Sequence, residues 1–179
     1  MASAYAIKKT GQTLSYEANG TIHTAGTQKD DGYYQKGISH SYSRDNTKEV
    51  VLDHITGLMW QDNESIQKQW VTTANYNAGN YSDTSGDTAS TYCSDLTLGG
   101  YSDWRLPSAK ELLFIVDNSK YNPSIDNQFQ NIVSNGYWSS TTDASNTSHA
   151  WYVDFYDGST HYYGGKYYSL YVRCVRAGQ

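Results

Sequence analysis

At 179 residues the chain is long enough for one domain with a core of its own and short for two. Apolar residues make up 37% and mean hydropathy is −0.72, yet aromatics reach 15%, and 18 of them are Tyr, which excludes the aromatic-poor composition of a disordered chain. A net charge of −5 offers no broad cationic field for nucleic acid, and no run nears the roughly 20 apolar residues that insert across a membrane.

In chain order, Met1 to Thr10 hold Lys8 and Lys9 but no apolar h-region, so no ordinary signal peptide is predicted. Up to about residue 40, Gly, Thr, Ser and Tyr without a helical period predict short strands and turns. Val50-Val51-Leu52-Asp53 and Thr56-Gly57-Leu58-Met59-Trp60 predict two strands joined by a turn. A helix is predicted over 61–76, where Ile66, Trp70 and Thr73 or Ala74 fall near one face. The polar stretch Asn77 to Asp87 reads as an exposed loop.

After that loop, Ala89, Tyr92, Cys93 and Leu96 repeat at helical spacing, predicting a helix from an Asp87 N-cap to Gly99-Gly100. The clearest helix follows, because Ser108-Ala109-Lys110-Glu111 is a capping box in which hydroxyl and carboxylate each satisfy an orphaned N–H. Leu112, Leu113, Ile115 and Val116 then supply its core face. Beyond Pro123 the pattern turns to strands, first Tyr137 to Ser140, then Trp151, Val153 and Phe155 alternating with Tyr152, Asp154 and Tyr156. Asp157-Gly158 is a turn signal, and Tyr171 to Arg176 predicts one last strand. The order implies a single α+β domain over 1–179, with its terminal strands paired in one sheet. Trp60, Trp104, Trp138 and Trp151 read as core, and Arg105 as a buried Arg paired with a carboxylate such as Asp103 or with backbone carbonyls. Cys93 and Cys174 lack CxxC spacing and are either one long-range disulfide or two buried thiols.

The strings Thr56-Gly57-Leu58-Met59-Trp60-Gln61, Leu98-Gly99-Gly100-Tyr101-Ser102-Asp103-Trp104-Arg105-Leu106-Pro107-Ser108, Tyr137-Trp138-Ser139-Ser140-Thr141, Ala150-Trp151 and Tyr171-Val172-Arg173-Cys174-Val175-Arg176 occur in this order. Together they resemble the C-terminal domain family of collagen-like proteins (Lcl-C) over about residues 30–176. The resemblance implies a C-type-lectin-like fold, with two helices flanking mixed sheets and the termini lying together. By the same fold-level analogy the two cysteines look like a clasp between the second-helix region and the last strand, rather than a reactive pair.

Residues 140–176 further resemble the variable region of proteins diversified by retroelements, which replace template adenines during reverse transcription. Adenine replacement in an AAC or AAT codon never yields Lys, Gln, Glu, Met or Trp, and from Tyr152 to Leu170 only Lys166 belongs to that set. The resemblance implies a ligand-binding surface at Tyr152, Asp154, Tyr156, Asp157, Ser159, His161, Tyr162, Tyr163, Tyr167, Tyr168 and Leu170, outside a fixed face of Trp151, Val153 and Phe155. Tyr suits such a surface because it adds contact area at the cost of few rotatable bonds. A protein is the expected partner and a cell or virion surface the expected place of display. The alternative is an adhesin for glycans or sulfated polysaccharide, which the acidic balance disfavours for sulfates.

Enzymatic chemistry is not expected. His149, Ser139, Ser140 and Asp154 lie close in sequence, but no Gly-x-Ser-x-Gly elbow surrounds either Ser. The Glu-Pro-Asn and Gln-Pro-Asp strings of calcium-dependent sugar lectins are absent. No cofactor is expected, and Asp83, Ser85 and Asp87 resemble only a fragment of a loop for a structural calcium ion.

Overall fold

The computed structural model describes residues 8–17, 19–22 and 30–178, with Tyr163 described by its backbone alone. Asp30 accepts a hydrogen bond from the Tyr33 N–H and caps a one-turn helix, α1 (Asp31–Tyr34). Three short strands follow as an antiparallel meander: β1 (Tyr42–Asp45), β2 (Val50–Asp53) and β3 (Leu58–Gln61). An aspartate shapes each turn. Asp45 Oδ1 accepts from the N–H groups of Thr47 and Lys48, and Asp53 Oδ1 from that of Ile55, the local side-chain-to-backbone bonding that favours Asp at turns.

The chain continues through β4 (Ile66–Gln69), α2 (Thr73–Asn77), α3 (Ala89–Asp95) and α4 (Ala109–Phe114) to β5 (Gly136–Thr142), β6 (His149–Asp154), β7 (Thr160–Gly165), β8 (Ser169–Val172) and β9 (Val175–Ala177). One sheet has the order β1-β2-β3-β9, so the C-terminal strand closes the N-terminal meander as expected. The other is mixed, in the order β4-β8-β5-β6-β7, with β5 and β8 parallel and β7 on an edge. This is an α+β architecture with short helices and two sheets.

Neighbouring residues on the strands enter two different cores. Val50, Met59, Trp138 and Val172 join Trp70, Val71, Trp104, Leu106 and Ala150 in one cluster, while Val51, Trp60 and Tyr137 join Leu112, Ile115, Phe129, Val153 and Phe155 in the other. Strands covered on both faces read as continuous apolar runs, which is why Val50-Val51 and Tyr137-Trp138 do not alternate with polar residues. At the end of β3, the fully buried Asp62 carboxylate accepts from Arg173 Nη1 at 2.8 Å, from Arg44, and from the N–H groups of Gln130 and Asn131. Cys93 and Cys174 form a disulfide, which ties α3 to the junction between β8 and β9 and decides between the two cysteine readings.

The two predicted caps fare differently. Ser108 and Glu111 make the expected reciprocal pair at α4, whereas α3 is capped by Thr88 with Thr91, and its helical residues stop at Asp95. The helix predicted over 61–76 is replaced by β4, whose Ile66 pairs with Val172, leaving only α2 beyond Trp70. The single last strand is in fact two, since Arg173 and Cys174 carry the chain from one sheet to the other. Arg105 is half exposed and pairs with Glu111, while Asp103 is taken by Arg176 at 2.6 Å. Leu113 points out at the α4 surface rather than into the core, and α1 was not foreseen.

Candidate ligand-binding surface

The segment from Tyr152 to Leu170 is built on fixed points. Val153 and Phe155 are fully buried under α4, and Ala150 and Trp138 under the other core. Lys166 is the third anchor. Its N–H donates to Ser148 O, and its carbonyl accepts from the N–H groups of both Trp70 and Val71. Its ammonium donates to Tyr81 O at 2.8 Å and Thr142 Oγ1 at 2.9 Å and lies 3.8 Å from the centre of the Trp70 ring. The one residue of the segment outside the adenine-reachable set thus has its side chain built into the scaffold, as Val153 and Phe155 do.

Burial pushes the Lys166 ammonium down to about 8, from an ordinary value of 10.5. Between those two pH values the unfolded chain holds a proton that the folded chain has released, so this group adds stability as pH rises through that window. Lys166→Met keeps the apolar stem and removes the titrating nitrogen. Urea unfolding across the window is expected to show a rise in the parent that is absent from the variant, and parallel curves would assign the effect elsewhere.

The eleven residues predicted for the site do not share one face. Tyr152 pairs across the sheet with Trp138 on one side and His161 on the other, and its ring lies 4.9 Å from the His161 ring. Side chains on one strand alternate between faces, so Asp154 shares this side, as does Leu170, which lies near Gly136. A Cβ added at Gly136 or Gly164 would fall 2.9 Å from the Tyr152 ring, so glycine at both positions lets that ring lie against the sheet. Tyr162 goes the other way, onto Trp151, with ring centres 5.5 Å apart. The cause is strand alternation, since His161 pairs with Tyr152 and its neighbour Tyr162 faces the other way; a bulge follows, because Ala150 pairs with Gly164 and two residues of β7 therefore lie opposite Trp151. Trp151 is half-buried rather than part of the core predicted for it.

Two further groups sit at the turns. Tyr156, beside the Asp157-Gly158 turn, packs on Tyr121 at 4.6 Å. Tyr167 lies between Tyr168 at 4.3 Å and Tyr76 at 4.6 Å, and Tyr76 in turn meets Tyr81 at 5.1 Å. The side chain of Tyr163 lies outside the described residues. Sequence reasoning missed Tyr76, Tyr81, Tyr121, Trp151 and Gly136. Tyr76 comes from α2 and Tyr81 and Tyr121 from loops, all distant in sequence, and their only signal was Tyr itself.

Asp157, Ser159 and His161 form a short polar line. The Ser159 hydroxyl donates to Asp157 Oδ1 at 2.6 Å, which leaves its oxygen to accept from His161 Nε2 at 2.9 Å. That direction points the hydroxyl proton at a carboxylate and away from the imidazole, opposite to the polarity of a Ser–His nucleophile pair. The Ser159 bonds and the nearby His161 hold the Asp157 carboxyl below its ordinary range. Among the described residues no group of three His, Cys, Asp or Glu is placed to hold a metal ion. Asp83 accepts from the Ser85 N–H, and Asp87 pairs with Lys68.

A family model described as the Lcl C-terminal domain matches residues 49–176. The chain belongs to this family. No curated protein matches it. In this Lcl C-terminal domain the match runs from the start of β2 into β9, narrower at its N-terminal end than the span read from the motif strings, and it contains every candidate site residue. The strings that marked the family build the scaffold: Trp60, Trp104, Leu106 and Trp138 are core, and Arg173 and Arg176 hold Asp62 and Asp103. Residues 152–170 of the Lcl C-terminal domain lie between two such strings, Ala150-Trp151 and Tyr171 to Arg176. No helix among the described residues is long and apolar enough to cross a membrane.

Proposed function

We propose that this domain is a ligand-binding protein without catalytic activity, a C-type-lectin-like scaffold displaying a Tyr-rich surface that retroelement-directed adenine mutagenesis varies, and that its ligand is a protein. One observation carries the reading. Between Tyr152 and Leu170, Val153, Phe155 and Lys166 are buried, while Tyr156, Tyr162, Tyr167 and Tyr168 stand 42%, 51%, 37% and 51% exposed. Large aromatic rings left in water at positions that do not support the core are the residue type that anchors protein interfaces. The polarity of the Ser159–His161 contact supports recognition over hydrolysis.

Truncating Tyr156, Tyr162, Tyr167 and Tyr168 together to Ala is expected to weaken partner capture by about 100-fold or more, since each anchor contributes on the order of 1–2 kcal/mol. Thermal stability should stay close to that of the parent. A collapse of stability instead would mark these rings as packing residues. Diversification has its own test, a neighbouring near-copy of the coding segment for residues 140–176 that differs at adenines and lies beside a reverse transcriptase gene.

A glycan ligand is the second reading, favoured by the row Tyr81–Tyr76–Tyr167–Tyr168, whose successive ring centres lie 5.1, 4.6 and 4.3 Å apart. Beside it Gly79, Ser82, Thr142 and Thr147 line a hydroxyl-rich hollow. A glycan array on the parent and on Tyr167→Ala separates the two readings.

A further inference from the structure

We propose that the cleft at the C-terminal end of α4 binds a small monocarboxylate carrying an apolar tail. The proposal does not rest on the Tyr-rich surface. The cleft encloses about 290 Å³ and is lined by Lys8, Lys9, His40, Lys110, Leu113 and Phe114, together with Thr10, Val116 and Asn118. That volume is at the lower bound of the roughly 300–1,000 Å³ of ligand pockets, so the occupant is small.

The floor is apolar and partly wet. Leu113 and Phe114 are 43% and 39% exposed although they belong to a helix whose neighbour Leu112 is fully buried, so two large apolar side chains at the cleft keep exposed surface. The rim is cationic. Three of the 13 Lys and Arg residues of a chain with net charge −5 gather here, and no Asp or Glu is among the described residues that line the cleft. Asp117, next to the lining, turns its carboxylate to the Ser119 N–H and hydroxyl and to Lys120.

The three ammonium groups are not equivalent. Lys8 is spent inside the protein, donating to Asp53 at 2.5 Å, to Tyr42 and to the Phe114 carbonyl, and so covers the last carbonyl of the helix that would otherwise repel an anion. Lys9 and Lys110 have no carboxylate partner among the described residues. Burial and the charge of Lys8 lower the His40 pKa, so its ring adds a neutral wall rather than a further cation. Two lysines without a carboxylate partner among the described residues, lining the same cleft as an exposed Leu–Phe pair, match a carboxylate head with a short hydrocarbon tail. A fully polar anion would leave the floor wet, and a neutral hydrocarbon would leave both charges unused.

The test uses the full chain labelled with ¹⁵N and titrated with sodium octanoate, with sodium acetate and 1-octanol as head-only and tail-only probes. Octanoate is expected to give saturable shifts confined to the amides of Lys9, Thr10 and residues 113–118. Acetate and octanol should each bind about tenfold more weakly or worse, and the double variant Lys9→Gln/Lys110→Gln should lose about tenfold in octanoate affinity at low salt. Leu113→Asn, a surface change, should lose octanoate binding while keeping the parent spectrum elsewhere. Equal binding of octanol and octanoate, unchanged affinity in the lysine variant, or shifts centred on residues 152–170 would overturn the proposal. So would tighter binding of an acetylated acidic tetrapeptide containing one phenylalanine, which would make the cleft a peptide dock.

Discussion

Asp62→Ala is expected to lose about 3–5 kcal/mol of folding stability, the range found when one partner of a buried ion pair is removed. The size follows from what Asp62 holds. Its carboxylate is fully buried and accepts from two guanidinium groups and two backbone N–H groups, so its loss leaves four donors short of a partner at once. Arg173 suffers most. Its guanidinium is inside the protein, 5.2 Å from the centre of the Phe129 ring, and its Nε already lacks a partner. The Gln61 and Asn131 carbonyls accept from its other nitrogens, at 2.6 Å each, but carry no formal charge. Arg105→Gln is the control: it breaks an ion pair whose Arg side chain is half exposed, and about 0–1 kcal/mol is expected. Urea unfolding of both variants decides the matter, and a loss under about 1 kcal/mol for Asp62→Ala would show that water reaches Arg173 once the carboxylate is gone.

What was legible in the sequence was local. The Ser108–Glu111 capping box could be read because both partners lie within one turn, and the turns at Asp53 and Gly158 because they are made by the residues that sit in them. The Asp62 network could not be read, as its members lie at positions 44, 62, 130, 131 and 173. The helix predicted over 61–76 failed for a related reason. Ile66 and Trp70 both reach the same core, Ile66 from β4 and Trp70 from the loop beyond it, and this convergence mimics a helical stripe. The break between β8 and β9 left no mark either, since strands buried on both faces look alike on either side of it. Cys174 N–H donates to Gln61 Oε1 there, a bond made by a residue 113 positions away.

The candidate surface was legible up to the point where its period failed. Alternation put Val153 and Phe155 on the opposite side from Tyr152 and Asp154, as in the structure, but Tyr152 and Leu170 are half-buried against the core that holds Trp138 rather than standing fully in water. The predicted surface also took in the consecutive residues His161, Tyr162 and Tyr163, which a strand cannot hold on one side: His161 stays with Tyr152 while Tyr162 turns onto Trp151, and a bulge then shifts the register beyond it. A bulge needs one extra residue on one strand, which a sequence shows only when both strands and their register are known. Tyr167 and Tyr168 were found by composition rather than by period, and their neighbours Tyr76 and Tyr81 became visible only once α2 and the loop after it were placed beside the β7–β8 turn.

Loss of the Cys93–Cys174 bond, by reduction or in Cys93→Ala/Cys174→Ala, is expected to cost about 4–5 kcal/mol in the chain-entropy account of a loop this long, 81 positions along the chain. Every candidate site residue lies inside that loop. The bond therefore holds the chain just beyond the C-terminal end of the segment whose outer side chains are proposed to vary, and it does so without using any of them. If scaffold and surface are separate in this way, the cost of losing the disulfide and the small cost of the four Tyr→Ala changes should add within about 0.5 kcal/mol, as they do for sites that share no partners. Chemical unfolding of the parent, the two variants and their combination closes the cycle. Coupling above about 1 kcal/mol would mean that the tyrosines carry load in the core, and a surface that holds up its own scaffold is not free to change its sequence.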